Sequence, residues 1–370
     1  MRIGINCRSF LKKNYAGIGR YTFNLIKCLA KSDRENEYTL YVNRRLFDLK
    51  KSVPAVPGKN FKTKIDYLNR GLDNSLGQVD AYHSPSPDFI KFDKGKIIVT
   101  VHDLIYKTYP QGHTEQTCTT TDKQMSGIVK QAEKIICCSR STMDDMKKIF
   151  SVDDKRLELV YQGVDKEIFY PVTGEEDVLA REALKRKGGS VPYILFVGTL
   201  EPRKNLTNIL KAFAVLKAKK KFMGKLIIIG MKGWMVDDIN SLIKKLGIEG
   251  FVVFTGYVSD QELRWFYNLA EVFVFPSFYE GFGFPIVEAF SCGTAVITSN
   301  VSSCPEVAAD AALKVNPYEV SEIVEAVSRI LGDKKLKEIL EQKGLKRSGD
   351  FSFMNTAKHT LEVYQKVCAG

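Results

Sequence analysis

The sequence predicts an α/β protein built from two successive parallel sheets, and three features carry that reading. Short apolar runs alternate with amphipathic segments along the chain, the pattern of strands joined by helical crossovers. The alternation restarts with Tyr193-Ile-Leu-Phe-Val197, after a stretch over 171–192 rich in Gly, Glu and Lys. A length of 370 residues also suffices for two domains of ordinary size. The expected organisation is a first domain over 1–170, a linker with a frayed helix over 171–190, a second domain over 191–345 and a helical C-terminal segment over 346–370.

In the first domain the strand candidates are 3–6, 38–42, 81–82, 97–101, 134–138 and 158–160. Between them, 21–30 places Phe23, Ile26 and Leu29 on one helical face, and 141–149 reads as a second helix. The second domain offers strands at 193–197, 225–229, 252–254, 272–275 and 295–298, with a helix over 206–218. Residues 355–368 form a terminal helix, expected to return to the first domain. In such sheets ligands collect outside the carboxyl ends of the strands, and the motifs of interest all fall there.

Composition narrows the function classes. Hydrophobic residues at 44% and charged residues at 26% describe a folded globular chain. No apolar run approaches the roughly 18 residues of a membrane span. The opening Met1-Arg-Ile-Gly-Ile reads directly into a strand with no signal-peptide pattern, so a cytoplasmic location is expected. Eight cysteines without a Cys-x-x-Cys pair point to free thiols, not to disulfides or zinc. The net charge of +12 is uneven: 1–170 holds 29 Lys and Arg against 20 Asp and Glu. That excess suits either a peripheral contact with an anionic membrane or a generally basic, solvated surface. The chain has no clustered Arg/aromatic motif, so nucleic acid is not expected as a partner.

The most informative segment is Glu280-Gly-Phe-Gly-Phe-Pro-Ile-Val-Glu288, which follows the strand candidate 272–275. Pro285 suits the first turn of a helix. Gly281 and Gly283 let backbone approach a ligand, and the helix start favours an anion. Glu280 and Glu288 flank that anion site and can accept hydrogen bonds from hydroxyls. A phosphate between two hydroxyl-binding carboxylates suggests a nucleotide-sugar. Its counterpart is Gly198-Thr-Leu-Glu-Pro-Arg-Lys-Asn205, which sets Arg203 and Lys204 just after a strand and just before a helix. A planar guanidinium fork and a point charge there suit phosphate, and Glu201 is placed to orient either cation. No Asp-x-Asp pair occurs, so neither a metal nor any other cofactor is expected at the diphosphate.

These motifs, with Gly17-Ile-Gly19 and Gly163-Val-Asp165 in the same order, resemble the retaining glycosyltransferases of family four, the glycogen-synthase-like group. The resemblance covers nearly the whole chain and implies the GT-B architecture: two Rossmann-like domains facing a cleft, with the terminal helix crossing back. It implies that Glu280 contacts the donor sugar, Glu288 the ribose and Lys204 the leaving diphosphate, with Gly198, Gly281, Phe282, Gly283 and Phe284 around the donor. Many members carry a second phosphate-binding Arg where this chain has Thr199, and Arg203 is the candidate to replace it. Backbone groups near Tyr257 and Val258 are implied to meet the nucleobase; core packing is the other reading of Tyr257. Gly17 and Gly19 are implied to lie over the diphosphate near the acceptor, with Arg20 meeting acceptor or phosphate. His102, ending the strand 97–101, matches a family His near the reaction centre, and Asp103 orients the loop or binds acceptor hydroxyls. His83 is a further candidate to line an acceptor pocket, whereas His113 and His359 carry only surface readings.

Gly198–Asn205 together with Ser302-Ser-Cys-Pro-Glu-Val-Ala308 most resemble bacterial mannosyltransferases of O-antigen and capsule assembly. The resemblance therefore implies transfer of mannose from GDP-mannose, with retention, to a saccharide or lipid-linked acceptor. The same chemistry with a UDP-sugar is the alternative donor reading. A non-catalytic basic protein binding membrane or nucleic acid is the alternative class. Ser302–Glu306 itself reads as a helix cap, with a Ser and a Glu near the N-terminus.

Overall fold

The computed structural model describes residues 1–10, 17–43, 58–68, 70–87, 92–112, 114–231 and 236–369, so His113 lies outside the described residues. The chain divides into two compact units, Met1–Gly163 with Ser352–Gly370, and Val164–Phe351.

The first unit holds strands β1 (Arg2–Asn6), β2 (Glu37–Asn43), β3 (Phe61–Asp66), β4 (Ala81–Ser84), β5 (Lys96–Val101), β6 (Lys134–Cys137) and β7 (Leu157–Leu159). They form one parallel sheet in the order β3-β2-β1-β4-β5-β6-β7. This is the doubly wound arrangement, with the order reversing between β1 and β4. Strand alternation divides the core in two. Ile3, Ile5, Ile98 and Ile136 face one layer, and Ile97, Val99, Ile135 and Cys137 the other. The helix Phe353–Ala369 completes the first layer, burying Phe353, Ala357, Val363 and Tyr364 with Leu25 and Leu29 of the helix Ile18–Ser32.

The second unit repeats the plan with β8 (Tyr193–Val197), β9 (Lys225–Ile229), β10 (Val252–Gly256), β11 (Val272–Phe275), β12 (Val296–Ser299) and β13 (Ala312–Val315), ordered β10-β9-β8-β11-β12-β13. All pairings are parallel, and the order reverses between β8 and β11. β8 and β11 are buried along their length, as strands covered on both faces must be.

The stretch expected as a linker contains the helix Glu175–Arg186 and lies in the second unit. It is fastened to the helix Asp260–Leu269 by a buried Arg264. This side chain pairs with Glu176, donates to the Ile168 carbonyl at 2.9 Å and lies over the Tyr170 ring at 4.1 Å. Trp265 Nε1 also donates to Glu176, at 2.8 Å. The composition reads as a linker with a frayed helix; the buried cation holds the stretch in place, because it needs both the carboxylate and the carbonyl.

Two strands escaped the sequence reading, and both are sheet edges. β3 reads Phe-Lys-Thr-Lys-Ile-Asp with its middle residues exposed, and β13 is four residues long with Lys314 exposed. Charged, short edge strands lack the buried apolar run that marks a central strand. The eight cysteines form no disulfide. Among the described residues, no helix is long and apolar enough to cross a membrane.

Candidate active site

At the switch point of the second sheet, the loops leaving β8 and β11 meet. The β8 loop carries Gly198, Glu201, Arg203 and Lys204; the β11 loop carries Ser277 to Gly283. Asn205 ties the two together. Held in the left-handed region at φ 61°, it donates through Nδ2 to the carbonyls of Pro276 (3.0 Å) and Pro317 (2.6 Å). Asn tolerates this backbone better than most side chains. The Phe278 amide donates to the Arg203 carbonyl at 2.8 Å, and Arg203 Nη1 donates to the Tyr279 carbonyl at 3.2 Å.

These ties deliver a four-charge cluster. Lys204 Nζ lies 2.6 Å from Glu280 Oε1, Arg203 Nη1 lies 2.9 Å from Glu280 Oε2, and Arg203 Nη2 lies 2.7 Å from Glu201 Oε1. Lys204 and Glu280 are buried, at 7% exposure each. Burial pushes the Glu280 carboxyl up, but Arg203 and Lys204 outweigh it and hold it below its ordinary value. Burial, reinforced by the Arg203 charge, pulls Lys204 below its ordinary value despite the carboxylate. Two cations thus share Glu280, and Arg203 also pairs with Glu201. Lys204 Nζ also lies 4.8 Å over the Phe275 ring, and its aliphatic stem passes 3.6 Å from where a side chain at Gly198 would begin.

The β11 loop turns into the helix Phe284–Ser291 through Gly283, whose φ of 105° favours glycine, and Pro285 sits in the first turn. Phe282 is buried and packs edge-on against Phe284 and Phe351, both at 5.5 Å. Gly281 is buried in the same turn. Glu288, one helical turn further on, is 8% exposed and accepts from the Tyr267 hydroxyl at 3.0 Å. Beyond β10, Tyr257 is 63% exposed while Val258 is buried, so core packing belongs to Val258 and not to Tyr257.

In the first unit, Gly17 stands at the N-cap of Ile18–Ser32 with φ 36°, and Gly19 and Arg20 fall in its first turn. The Tyr21 ring meets the His102 ring edge-on at 5.0 Å. His102 Nε2 lies 2.8 Å from the Pro85 carbonyl, so that nitrogen carries the proton, and Nδ1 receives Gln162 Nε2 at 2.5 Å. Burial lowers its pKa, against the pull of the Pro85 carbonyl and Asp103, and keeps the ring neutral. A sugar hydroxyl would reach either nitrogen only by displacing a protein partner. Asp103 Oδ1 accepts from the Ile105 amide at 3.1 Å and so shapes the loop after β5.

Residues 15–168 match the family model described as Glycosyltransferase Family 4, and residues 181–347 match Glycosyl transferases group 1. The O-antigen chain mannosyltransferase B of Escherichia coli is 30% identical across 96% of this chain and 97% of its own length. The chain belongs to the family-four glycosyltransferases. The serotype-specific mannosyltransferase WbdA of Escherichia coli is 29% identical over 64% of this chain, a match spanning 29% of that longer protein. Among solved structures, sucrose-phosphate synthase from Thermosynechococcus elongatus superposes with a TM-score of 0.78 at 20% identity, covering 100% of this chain and 99% of that one. That likeness shows a shared fold of the GT-B type.

Within this glycosyltransferase the structure brings Arg203, Lys204 and Glu280 together with Glu201, and sets Gly198 beside Lys204. Glu288 accepts from Tyr267. Gly17, Gly19, Arg20, His102 and Asp103 belong to the other unit. Sequence reading missed three supports. Gln162 holds His102, Tyr267 holds Glu288, and Ser302 and Ser303 hold the Glu280 loop. A Ser and a Glu were expected to cap the helix Cys304–Ala308, yet Ser303 at its N-cap makes no side-chain capping bond. For Gln162 and Tyr267 no spacing rule links partners 60 and 21 residues apart. Among the described residues no group of three or more His, Cys, Asp or Glu is placed to hold a metal ion.

His83 does not line a pocket. It is fully buried, with Nδ1 2.7 Å from the Tyr364 hydroxyl and Nε2 2.8 Å from Thr100 Oγ1. Burial, with the nearby His102, lowers its pKa to about 3. The unfolded chain therefore binds a proton that the folded state refuses, and stability falls as pH drops from 6.5 toward 3. Between pH 7 and 5 this one group removes about 2 kcal/mol. The loss of stability between pH 7 and 5, read from urea melts, should be about 2 kcal/mol larger in wild type than in His83→Asn, with His102 contributing to both.

Proposed function

We propose that this glycosyltransferase moves mannose from GDP-mannose to a hydroxyl of a saccharide or lipid-linked saccharide, with retention at the anomeric carbon, in the assembly of a cell-surface polysaccharide. The observation that carries the reading is the buried Arg203–Lys204–Glu280 cluster at the β8/β11 switch point. An incoming diphosphate competes with Glu280 for the two cations. As it takes them, the Glu280 oxygens become available to the hydroxyls of the attached sugar. Arg203, Lys204 and the start of the helix Phe284–Ser291 then stabilise the charge that develops on the leaving diphosphate. Glu288, oriented by Tyr267, accepts from the ribose. Tyr257, exposed beside β10, offers a face to the base, and the turn around Gly281, Phe282, Gly283 and Phe284 encloses the sugar. Gly17, Gly19 and Arg20 serve the diphosphate and acceptor, Asp103 shapes its loop or binds acceptor hydroxyls, and His102 serves the donor sugar near the reaction centre. No side-chain nucleophile is invoked; the departing phosphate oxygen receives the acceptor's proton.

The mannosyl assignment is supported by the relatives' names, including one that matches the full length. Because Lys204 and Arg203 supply the positive charge, the proposed reaction is metal-independent, and activity should persist in excess EDTA. A thermal-shift screen of GDP, UDP and ADP should show the largest stabilisation with GDP, about 2.7 kcal/mol at a hundred-fold excess over Kd. Turnover of GDP-mannose against a panel of UDP-sugars completes the test. Preference for a UDP-sugar would replace the donor assignment, and complete loss of activity on chelation would refute metal independence. The proposed site of action is the cytoplasmic face of the membrane, where the basic first half would meet anionic lipid in a salt-sensitive way.

A further inference from the structure

Glu280 is held twice, by side chain and by main chain, and the two tethers respond differently to a donor. The side-chain tether is Arg203 and Lys204. The main-chain tether comes from the loop after β12. Ser302 Oγ accepts the Glu280 amide at 3.0 Å, and Ser303 Oγ lies 2.9 Å from the Glu280 carbonyl and 2.8 Å from the Phe282 carbonyl. Ser303 is fully buried, so its single proton is shared between those two carbonyls with no water to substitute. Ser302 adopts φ 54°, a conformation that costs a residue with a side chain and persists where surroundings enforce it. Both hydroxyls are spent on the Glu280 loop, and the helix Cys304–Ala308 that they precede goes without a side-chain cap.

We propose that Ser302 and Ser303 are positioning residues that keep Glu280 in place once a diphosphate has drawn Arg203 and Lys204 away from it. The proposal rests on the reading of Glu280 as the sugar-side carboxylate. Before the donor binds, both tethers fix Glu280, and the ion pairs hold its side chain even without the serines. In the loaded enzyme the Phe278 and Asn205 bonds still hold the start of the loop, but the serine brace is what acts on the main chain of Glu280 itself, so its loss appears in turnover and not in nucleotide affinity.

The test uses Ser302→Gly and Ser303→Ala in the full chain, with Ser303→Thr as the hydroxyl-retaining control. Ser302→Gly removes the acceptor at a φ that glycine favours, so folding is not compromised. With GDP-mannose as donor, kcat should fall about ten-fold in each of the first two variants, the rate equivalent of one buried hydrogen bond. The Kd for GDP should stay within about two-fold of wild type, because the cations are intact. Ser303→Thr should recover most of the rate. Unchanged kcat in Ser302→Gly would overturn the proposal. So would a parallel loss of kcat, GDP affinity and thermal stability in both variants, since that marks a merely structural role.

Hydrogen–deuterium exchange of a peptide covering 276–284 decides the matter independently of catalysis. Added GDP should speed exchange at Glu280 in Ser302→Gly and slow it in wild type; identical behaviour in the two proteins would overturn the brace. If wild type turns over no nucleotide-sugar at all, the functional reading fails by itself, and the exchange comparison still decides whether the serines hold Glu280.

Discussion

Lys204→Met should lower kcat by about a thousand-fold, the scale seen when a preorganised charge is removed from a leaving group. The side chain is nearly isosteric, so the Phe275 contact and the packing beside Gly198 survive while the ammonium is lost. Stability should change modestly, because Glu280 keeps Arg203 at 2.9 Å and is not left as an isolated buried charge. A decrease of about 1–3 kcal/mol is expected, the cost of one missing hydrogen-bond partner and not that of an orphaned ion. Steady-state kinetics with GDP-mannose and a urea melt of the same preparation check both values.

Glu280→Gln should have the opposite signature on nucleotide binding. In the wild type, two cations balance Glu280 and Glu201; neutralising Glu280 leaves the cluster with one net positive charge. GDP should bind at least as tightly as to wild type, while kcat falls about a hundred-fold or more because the sugar loses its carboxylate. Among the described residues Glu280 is the only carboxylate paired with Lys204, whose pKa burial already lowers. The variant pushes it lower still. Its unfolded chain then binds the extra proton over a wider alkaline range, so its stability should rise as pH increases from 7 toward 10. Wild type behaves differently at the acid end. Glu280 titrates below its ordinary value, so its contribution is present above pH 4.5 and is lost as pH falls through the folded value. Denaturation across both ranges separates the two groups.

The parts of this candidate site are legible in the sequence alone. A glycine pair and a proline between an apolar strand and a helix have a local physical meaning, and so do two cations between a strand and a helix. The structure sets both segments at one switch point because β8 and β11 are neighbours in the sheet. That adjacency, and hence the direct Lys204–Glu280 pair, is a property of topology that neither segment contains. The supports were invisible for the same reason. Ser302 and Ser303 read locally as a helix cap, yet act on carbonyls and an amide about twenty residues earlier, across the β11–β12 pairing. His83 misled in the other direction, since the end of a strand can equally face a buried layer, and here Tyr364 of the terminal helix covers it. In the fold, the central strands announced themselves through continuous apolar runs, whereas the polar edges β3 and β13 did not.

The central claim is that the cluster between β8 and β11 receives the donor's diphosphate. Calorimetric titration of GDP into wild type and Lys204→Met tests it most directly, because it isolates the anion from sugar, acceptor and catalysis. Wild type should show a well-defined site and the variant a Kd about a hundred-fold weaker, the loss of a buried charge-assisted contact. Equal affinity in the two proteins would contradict it.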